Sequence, residues 1–281
     1  MEISEKLSVN YQKAYYLAKR YGVLLKSNRK IYPRNSHYFD IIDSDRKAYW
    51  LGLLYADGNI HRRVKKMRLK LIEPDKYLLE AMSKDIEYQG PLYFSKASDI
   101  GNHDLWSLEI ADVHMVESLY EIGLYPNKSL TVEFPSLRHL SDDLFWPFIR
   151  GYFDGDGTIC MDKNDRHHLV VQICVSEAFG RELKNKLEEK TGVHVTLFAT
   201  KKSIYKVSIK GFRQCLFFLD KIYESATIRM ERKHLKYIDI RDRRIRDGFI
   251  IPDTKELPPV VSNLTRDSKT GKFVGPRQLS A

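Results

Sequence analysis

Arg46–Ile60 reads RKAYWLGLLYADGNI, and Leu144–Ile159 reads LFWPFIRGYFDGDGTI. Each is an apolar, helix-like run that stops at Asp-Gly, and the two aspartates, Asp57 and Asp156, stand 99 positions apart. Working outward, the pattern after each run is the same. A hairpin-like strand pair is followed by a helix, Pro74–Lys84 in the first copy and Ser176–Lys190 in the second. A second strand pair comes next, Leu92–Ser95 with Trp106–Ile110 and Val193–Thr200 with Ser203–Lys210. A second helix closes each copy, Val113–Gly123 and Phe212–Tyr223, and a polar turn with a lysine lies beyond it: Lys128 and Lys233. The chain therefore predicts an α+β fold of two pseudo-symmetric αββαββ repeats, each a four-stranded, mainly antiparallel sheet with helices on one face.

The opening helices share a second feature. Gly52 and Ala56 are four apart, as are Gly151 and Gly155, so each helix carries a strip of small side chains on one face. Small residues at this spacing let two helix backbones approach closely, which makes these four residues the expected helix interface between the halves. Asp57 and Asp156 then meet at one end of it. A carboxylate at a helix C-terminus faces an already negative dipole end, and two together are worse unless a divalent cation neutralises them. One Asp-Gly reads most simply as a helix stop at a turn; two at matched repeat positions point to a metal site.

At this point Trp50–Gly58 (WLGLLYADG) and Ile149–Gly157 (IRGYFDGDG) resemble the motif of the LAGLIDADG homing endonucleases, in the single-chain, two-motif form. Leu119–Ser129 (LYEIGLYPNKS) and Ala226–Lys233 (ATIRMERK) are similar to that family's repeat endings. The resemblance covers about Asp40–Arg241. It implies that Asp57 and Asp156 are metal-binding catalytic carboxylates, one for each DNA strand, sharing two or three Mg²⁺ ions. It implies that Lys128 and Lys233 assist beside them, that the two sheets form a saddle over the DNA major groove, and that the product is a double-strand break with short 3′ overhangs. Hard cations take carboxylate, carbonyl and water oxygens, and paired ions can activate water and stabilise both the attacked phosphate and the leaving oxygen. Lys128 and Lys233 also read as ordinary solvated or phosphate-contacting lysines. Two positions depart from the motif. Tyr55 stands where its first acid is common, while Asp154 keeps it, and Arg150 replaces a small residue and is expected to snorkel to the helix edge. The chain starts at Met1 and ends Gln278–Ala281 without a splice signature, so a free-standing enzyme is expected.

Charge supports a polyanionic partner. The 281 residues carry a net charge of +10, which favours association with nucleic acid. The excess sits at the ends: residues 1–39 and 229–281 are each +6, whereas 40–228 are −2. Within that middle, His61–Lys70 and Lys201–Arg213 are basic and free of acids, and both alternate with apolar residues in the period-2 manner of strands with one wet face. Arg62, Arg63, Lys65, Lys66, Arg68, Lys70, Lys201, Lys202, Lys206 and Lys210 are the expected DNA-binding residues, following phosphates and reaching base edges.

The expected organisation is a basic N-terminal extension at 1–39, repeats at 40–140 and 141–247, and a basic C-terminal tail at 248–281. Leu7–Arg29 resembles the recognition half of a helix-turn-helix but equally reads as a surface helix packed through Tyr15, Leu17 and Tyr21. Three scattered cysteines and no CxxC give neither a disulfide framework nor a zinc site. No apolar run is long enough for a membrane span and no signal-peptide core opens the chain, so a monomeric, intracellular protein acting on double-stranded DNA is expected. The alternative is a non-cleaving nucleic-acid-binding protein of the same fold, an intron RNA maturase or a transcriptional regulator. A metal hydrolase of another class is not expected, since the strands are basic and the sequence shows no His/Cys ligand cluster.

Overall fold

The computed structural model describes residues 10–22, 30–97, 103–126, 128, 131–161, 169–200, 204–246, 265–266 and 273–274. Lys201, Lys202 and nearly all of the 248–281 tail lie outside the described residues, as does most of the flanking sequence of the N-terminal helix. The chain forms two compact units, Met1–Pro33 and Arg34–Ala281.

The first unit contains α1 (Tyr11–Arg20), started by the Asn10 side chain, which accepts from the Lys13 amide at 2.8 Å. Its covered stripe is Ala14 and Ala18, four apart, while Tyr15 and Tyr21 are exposed. Of the three residues expected to pack, Tyr15 and Tyr21 are thus corrected to exposed positions, and Leu17 is half-buried.

In the second unit, α2 (Asp45–Asp57) runs straight into β1 (Gly58–His61), then β2 (Lys66–Ile72), α3 (Lys76–Asp85), β3 (Tyr93–Ser95), β4 (Leu105–Ala111) and α4 (Val113–Ile122). The same series repeats as α5 (Phe145–Asp156), β5 (Gly157–Met161), β6 (Leu169–Val175), α6 (Glu177–Thr191), β7 (Val195–Ala199), β8 (Tyr205–Lys210) and α7 (Phe212–Tyr223), and α8 (Glu231–Arg246) follows. Each repeat forms an antiparallel four-stranded sheet, ordered β1-β2-β4-β3 and β5-β6-β8-β7. The registers match: Gly58 faces Leu69 and Gly157 faces Ile173, so in both copies an edge strand begins at the last turn of the motif helix.

Local chemistry explains these elements. Ser44 caps α2 and Asp45 sits in its first turn, where the dipole favours an acid. Pro147 falls in the first turn of α5, where its missing N–H is not needed. In β2 the buried Met67, Leu69 and Leu71 alternate with Lys66, Arg68 and Lys70, so one face joins the core and the other stays wet. Every residue from Ala48 to Tyr55 and from Phe148 to Asp154 is buried, which puts the two motif helices at the centre of one shared core.

Candidate active site

The seam between α2 and α5 is a backbone contact. A methyl on Gly151 would run into the Tyr49 carbonyl oxygen and stand 2.9 Å from the Leu53 nitrogen; one on Gly52 would meet the Phe148 carbonyl and stand 2.8 Å from the Tyr152 nitrogen. The two clashes are pseudo-symmetric images. Further along, a Cβ on Gly155 would strike the Ala56 methyl and come 3.0 Å from Asp57 Oδ2. The structure therefore brings all four small residues into the seam, and the Asp57 carboxylate leans across it onto the helix that ends in Asp156.

Asp57 is exposed and Asp156 half-buried. Among the described residues neither carboxylate has a hydrogen-bond or ion-pair partner. Burial among surrounding protein raises the pKa of Asp57, opposed by the Lys233 and Lys128 ammonium groups. The same desolvation, together with the neighbouring Asp57 charge, pushes Asp156 up to about 6. Both acids thus sit where negative charge is disfavoured.

Lys128 and Lys233 approach this end from the repeat endings and are buried. Lys128 Nζ donates to the Ala56 carbonyl at 2.8 Å. Lys233 Nζ donates to the Phe153 carbonyl at 2.8 Å and the Gly155 carbonyl at 3.1 Å. These are last-turn carbonyls of the motif helices, where intrahelical partners run out (the Phe153 carbonyl also accepts from the Gly157 cap amide), and a cation is favoured there. Burial lowers the pKa of Lys128, and it lowers that of Lys233 to about 8, against the pull of Asp154, Asp57 and Asp156.

What positions these lysines was not read from the sequence. Asp154 is fully buried and accepts hydrogen bonds from the Tyr49 hydroxyl of the other half (2.9 Å), the Tyr223 hydroxyl (2.8 Å) and the Met230 amide (2.7 Å). The last of these holds the chain three residues ahead of Lys233. At the matching position Tyr55 donates to the Ile122 carbonyl at 2.8 Å, just ahead of the turn that carries Lys128. Both first-acid positions of the motif therefore anchor a lysine segment, with different chemistry. Crosswise ties complete the frame: Arg232 Nε donates to buried Asp75 at 2.7 Å, and Ser176 donates to the Val132 carbonyl. Arg150 corrects an expectation. It does not snorkel to the surface; its guanidinium is buried against Tyr49, pairs with Asp45 at 2.7 Å and donates to the Ile222 carbonyl. It can stay charged inside because the other half supplies the carboxylate.

Lys66, Arg68, Lys70, Lys206 and Lys210 lie on strands, whereas Arg62, Arg63 and Lys65 lie in the turn between β1 and β2, and several of these residues are paired. Lys66 donates to Glu109 on the adjacent strand at 2.8 Å, with Arg68 3.9 Å from the same carboxylate. Lys65 and Arg62 share Glu117, and Arg62 stacks on Tyr120 at 4.1 Å. Lys206 donates to Gln172, and Lys70 and Lys210 are exposed. Arg63 sits exposed in the turn between β1 and β2.

The raised acids carry a pH signature. A carboxylate with a folded pKa near 6 and an unfolded value near 3.8 binds more protons when folded across that interval, so its contribution to stability is lost as pH rises from about 4 to about 6. Asp156→Asn removes this penalty. In EDTA the variant is expected to gain on the wild type by at least about 1 kcal/mol between pH 4 and pH 7, one pKa unit being about 1.4 kcal/mol before solvent screening. Urea midpoints at the two pH values read the difference; a pH-independent gap contradicts the assignment.

Residues 147–223, which span α5 to α7, match the family described as LAGLIDADG-like domain. The uncharacterized protein MJ0314 of Methanocaldococcus jannaschii is 22% identical over 184 residues, covering 64% of this chain and 67% of that one. Among solved structures, the I-LtrWI LAGLIDADG homing endonuclease bound to target DNA superposes with a TM-score of 0.51 at 13% identity, over 76% of this chain and 92% of that one. Full-length DUF199/WhiA from Thermatoga maritima gives a TM-score of 0.48 at 17% identity, over 78% of this chain. The chain spans 66% of that protein, less than two thirds of its length.

Proposed function

We propose that this chain, which matches the LAGLIDADG-like domain over residues 147–223 and carries two copies of the motif in one polypeptide, is a site-specific DNA endonuclease. In this reading it makes a double-strand break with short 3′ overhangs at a long target by metal-dependent phosphodiester hydrolysis. The observation that carries the proposal is the pair of unpartnered carboxylates, Asp57 and Asp156, brought together across the helix seam. An all-oxygen donor pair with raised pKa values fits a hard divalent cation such as Mg²⁺. When bound, the ions supply an activated water and charge neutralisation at the reacting phosphate.

The protein's own groups do the rest. Lys128 and Lys233, held by helix-end carbonyls, place positive charge beside the acids, where it stabilises a phosphate gaining negative charge. With a pKa near 8, Lys233 is also able to exchange a proton with a water at working pH. The seam holds the two acids in fixed relation, one for each strand. The wet face of the first sheet, with Lys66, Arg68 and Lys70, the adjoining β1–β2 turn, with Arg62, Arg63 and Lys65, and the second sheet, with Lys206 and Lys210, bind the duplex backbone. Glu109 and Glu117 orient part of this charge and leave its net value modest, so affinity depends on salt with a slope smaller than the number of cations implies.

The test is incubation with a library of randomised duplex sites in Mg²⁺ and in EDTA, followed by sequencing of the ends. Cleavage at one long consensus with 3′ overhangs, in Mg²⁺ only, is the expected result. Salt-sensitive binding of a consensus without any break in Mg²⁺ refutes the nuclease reading and favours a regulator or maturase.

A further inference from the structure

A second cluster of chemistry-bearing side chains lies away from the helix seam. His37 and Asp40 come from the turn that precedes α2, and His114 from the first turn of α4. Asp40 Oδ2 is 2.7 Å from His37 Nδ1 and 2.9 Å from His114 Nε2, and Asp40 Oδ1 is 2.8 Å from the same His114 nitrogen. One ligand atom from each of the three residues lies within 4.8 Å of the others. The imidazole rings are tilted by 50° with centroids 4.2 Å apart, so their nitrogens converge from two sides on the carboxylate. Ser118, one helical turn after His114, donates to Asp40 Oδ1 at 2.7 Å and sets the carboxylate's orientation.

The backbone beneath the cluster is held as well. Ser36 and Arg34 both donate to Asp112 Oδ2 at 2.6 Å, while Asp112 Oδ1 caps α4 through the Met115 amide at 2.8 Å. The segment before α2 and the start of α4 are therefore tied at a point adjoining the three side chains, which limits their relative movement.

We propose that His37, Asp40 and His114 form a binding site for a first-row divalent transition cation of the Zn²⁺ class. Two imidazole nitrogens and one carboxylate oxygen are the donors a borderline-soft ion prefers, unlike the all-oxygen pair at the seam. Bonds of about 2.0–2.2 Å in tetrahedral geometry place ligand atoms roughly 3.3–3.5 Å apart. The present spacing opens to that by about half an ångström, which the exposed rings of His37 and His114 reach by small side-chain rotations. Each imidazole turns a lone pair inward by carrying its proton on the other ring nitrogen. Ser118 remains the outer hydrogen bond that steers the carboxylate. A bound ion adds a second tie between the approach to α2 and α4.

The experiment uses the full chain, stripped of metal with a chelator and titrated with Zn²⁺ by calorimetry and with Co²⁺ by visible absorption. One tight site is expected, with the intense d–d bands of low-coordinate Co²⁺ and a higher melting temperature in Zn²⁺. Ser118→Ala lowers affinity about 10–100-fold, and His37→Ala or His114→Ala lowers it further and removes the bands. Asp57→Asn with Asp156→Asn leaves the site intact, which separates it from the nuclease reading. Circular dichroism of each variant verifies that it is folded. Wild-type titrations by the folded His37→Ala and His114→Ala variants, or a Co²⁺ spectrum that stays that of the aquo ion, overturn the proposal.

Discussion

Asp57→Asn or Asp156→Asn is expected to abolish double-strand cleavage, by at least about 10³-fold, while DNA affinity changes little. The substitution keeps the shape and removes the charge. At this site charge is the whole contribution: among the described residues neither carboxylate holds another part of the protein together. A loss of 10³ in rate corresponds to about 4 kcal/mol of transition-state stabilisation, within reach of removing a charged group at the reacting centre. Binding should persist because the duplex contacts are assigned to the wet sheet faces, and losing a negative charge near phosphates does not weaken attraction. Cleavage of the selected target by each variant in Mg²⁺, beside gel-shift affinity, is the measurement. Full double-strand cleavage by either variant removes the metal assignment.

Gly151→Ala is the second large effect, and here two physical arguments predict opposite signs. Judged by helix propensity alone, replacing a helix-interior glycine with alanine stabilises by about 1 kcal/mol. The seam predicts the reverse. The added methyl would enter the Tyr49 carbonyl and the Leu53 nitrogen, and these are backbone atoms that cannot rotate away. To accommodate it, α2 and α5 must separate along a seam buried on all sides, and overpacking of this kind costs about 1–3 kcal/mol and occasionally more. With the clash at the upper end of that range and the propensity gain subtracted, we expect a net loss of about 2 kcal/mol in urea unfolding, with the same for Gly52→Ala at the mirrored clash. Activity should fall further than stability explains, since separating the helices moves Asp57 away from Asp156. A more stable Gly151→Ala protein is incompatible with this seam.

The repeat, the two αββαββ units and the helix pair were legible because each rests on periodicity within a short window. Gly52/Ala56 and Gly151/Gly155 read as one face at i, i+4, and Met67/Leu69/Leu71 read as one face at i, i+2. Other features were legible only in part. The basic strip Arg62–Lys70 contains no acid, yet Glu109 on β4 and Glu117 on α4 neutralise much of it. Those partners lie some 40 to 50 residues away in sequence, so a local charge count misses them. Arg150 was misread for the same reason: its partner Asp45 is 105 positions away. Asp154 was recognised as the retained first acid of the motif. That it accepts hydrogen bonds from Tyr49, Tyr223 and the Met230 amide depends on three segments converging from both halves.

The amino-acid pattern alone determined the two-fold repeat, the helix pair and the identity of the acids, because those follow from spacing within elements. Only the tertiary structure decided which charges are exposed, which are paired and which are stranded. Hydrogen bonds and ion pairs act over about 3–4 Å in space, and sequence distance carries no information about that. Asp57 and Asp156 show the difference. As letters they are two helix-ending aspartates; folded, they are an exposed and a half-buried carboxylate brought together at the end of a seam that leaves no room for a side chain at Gly52, Gly151 or Gly155.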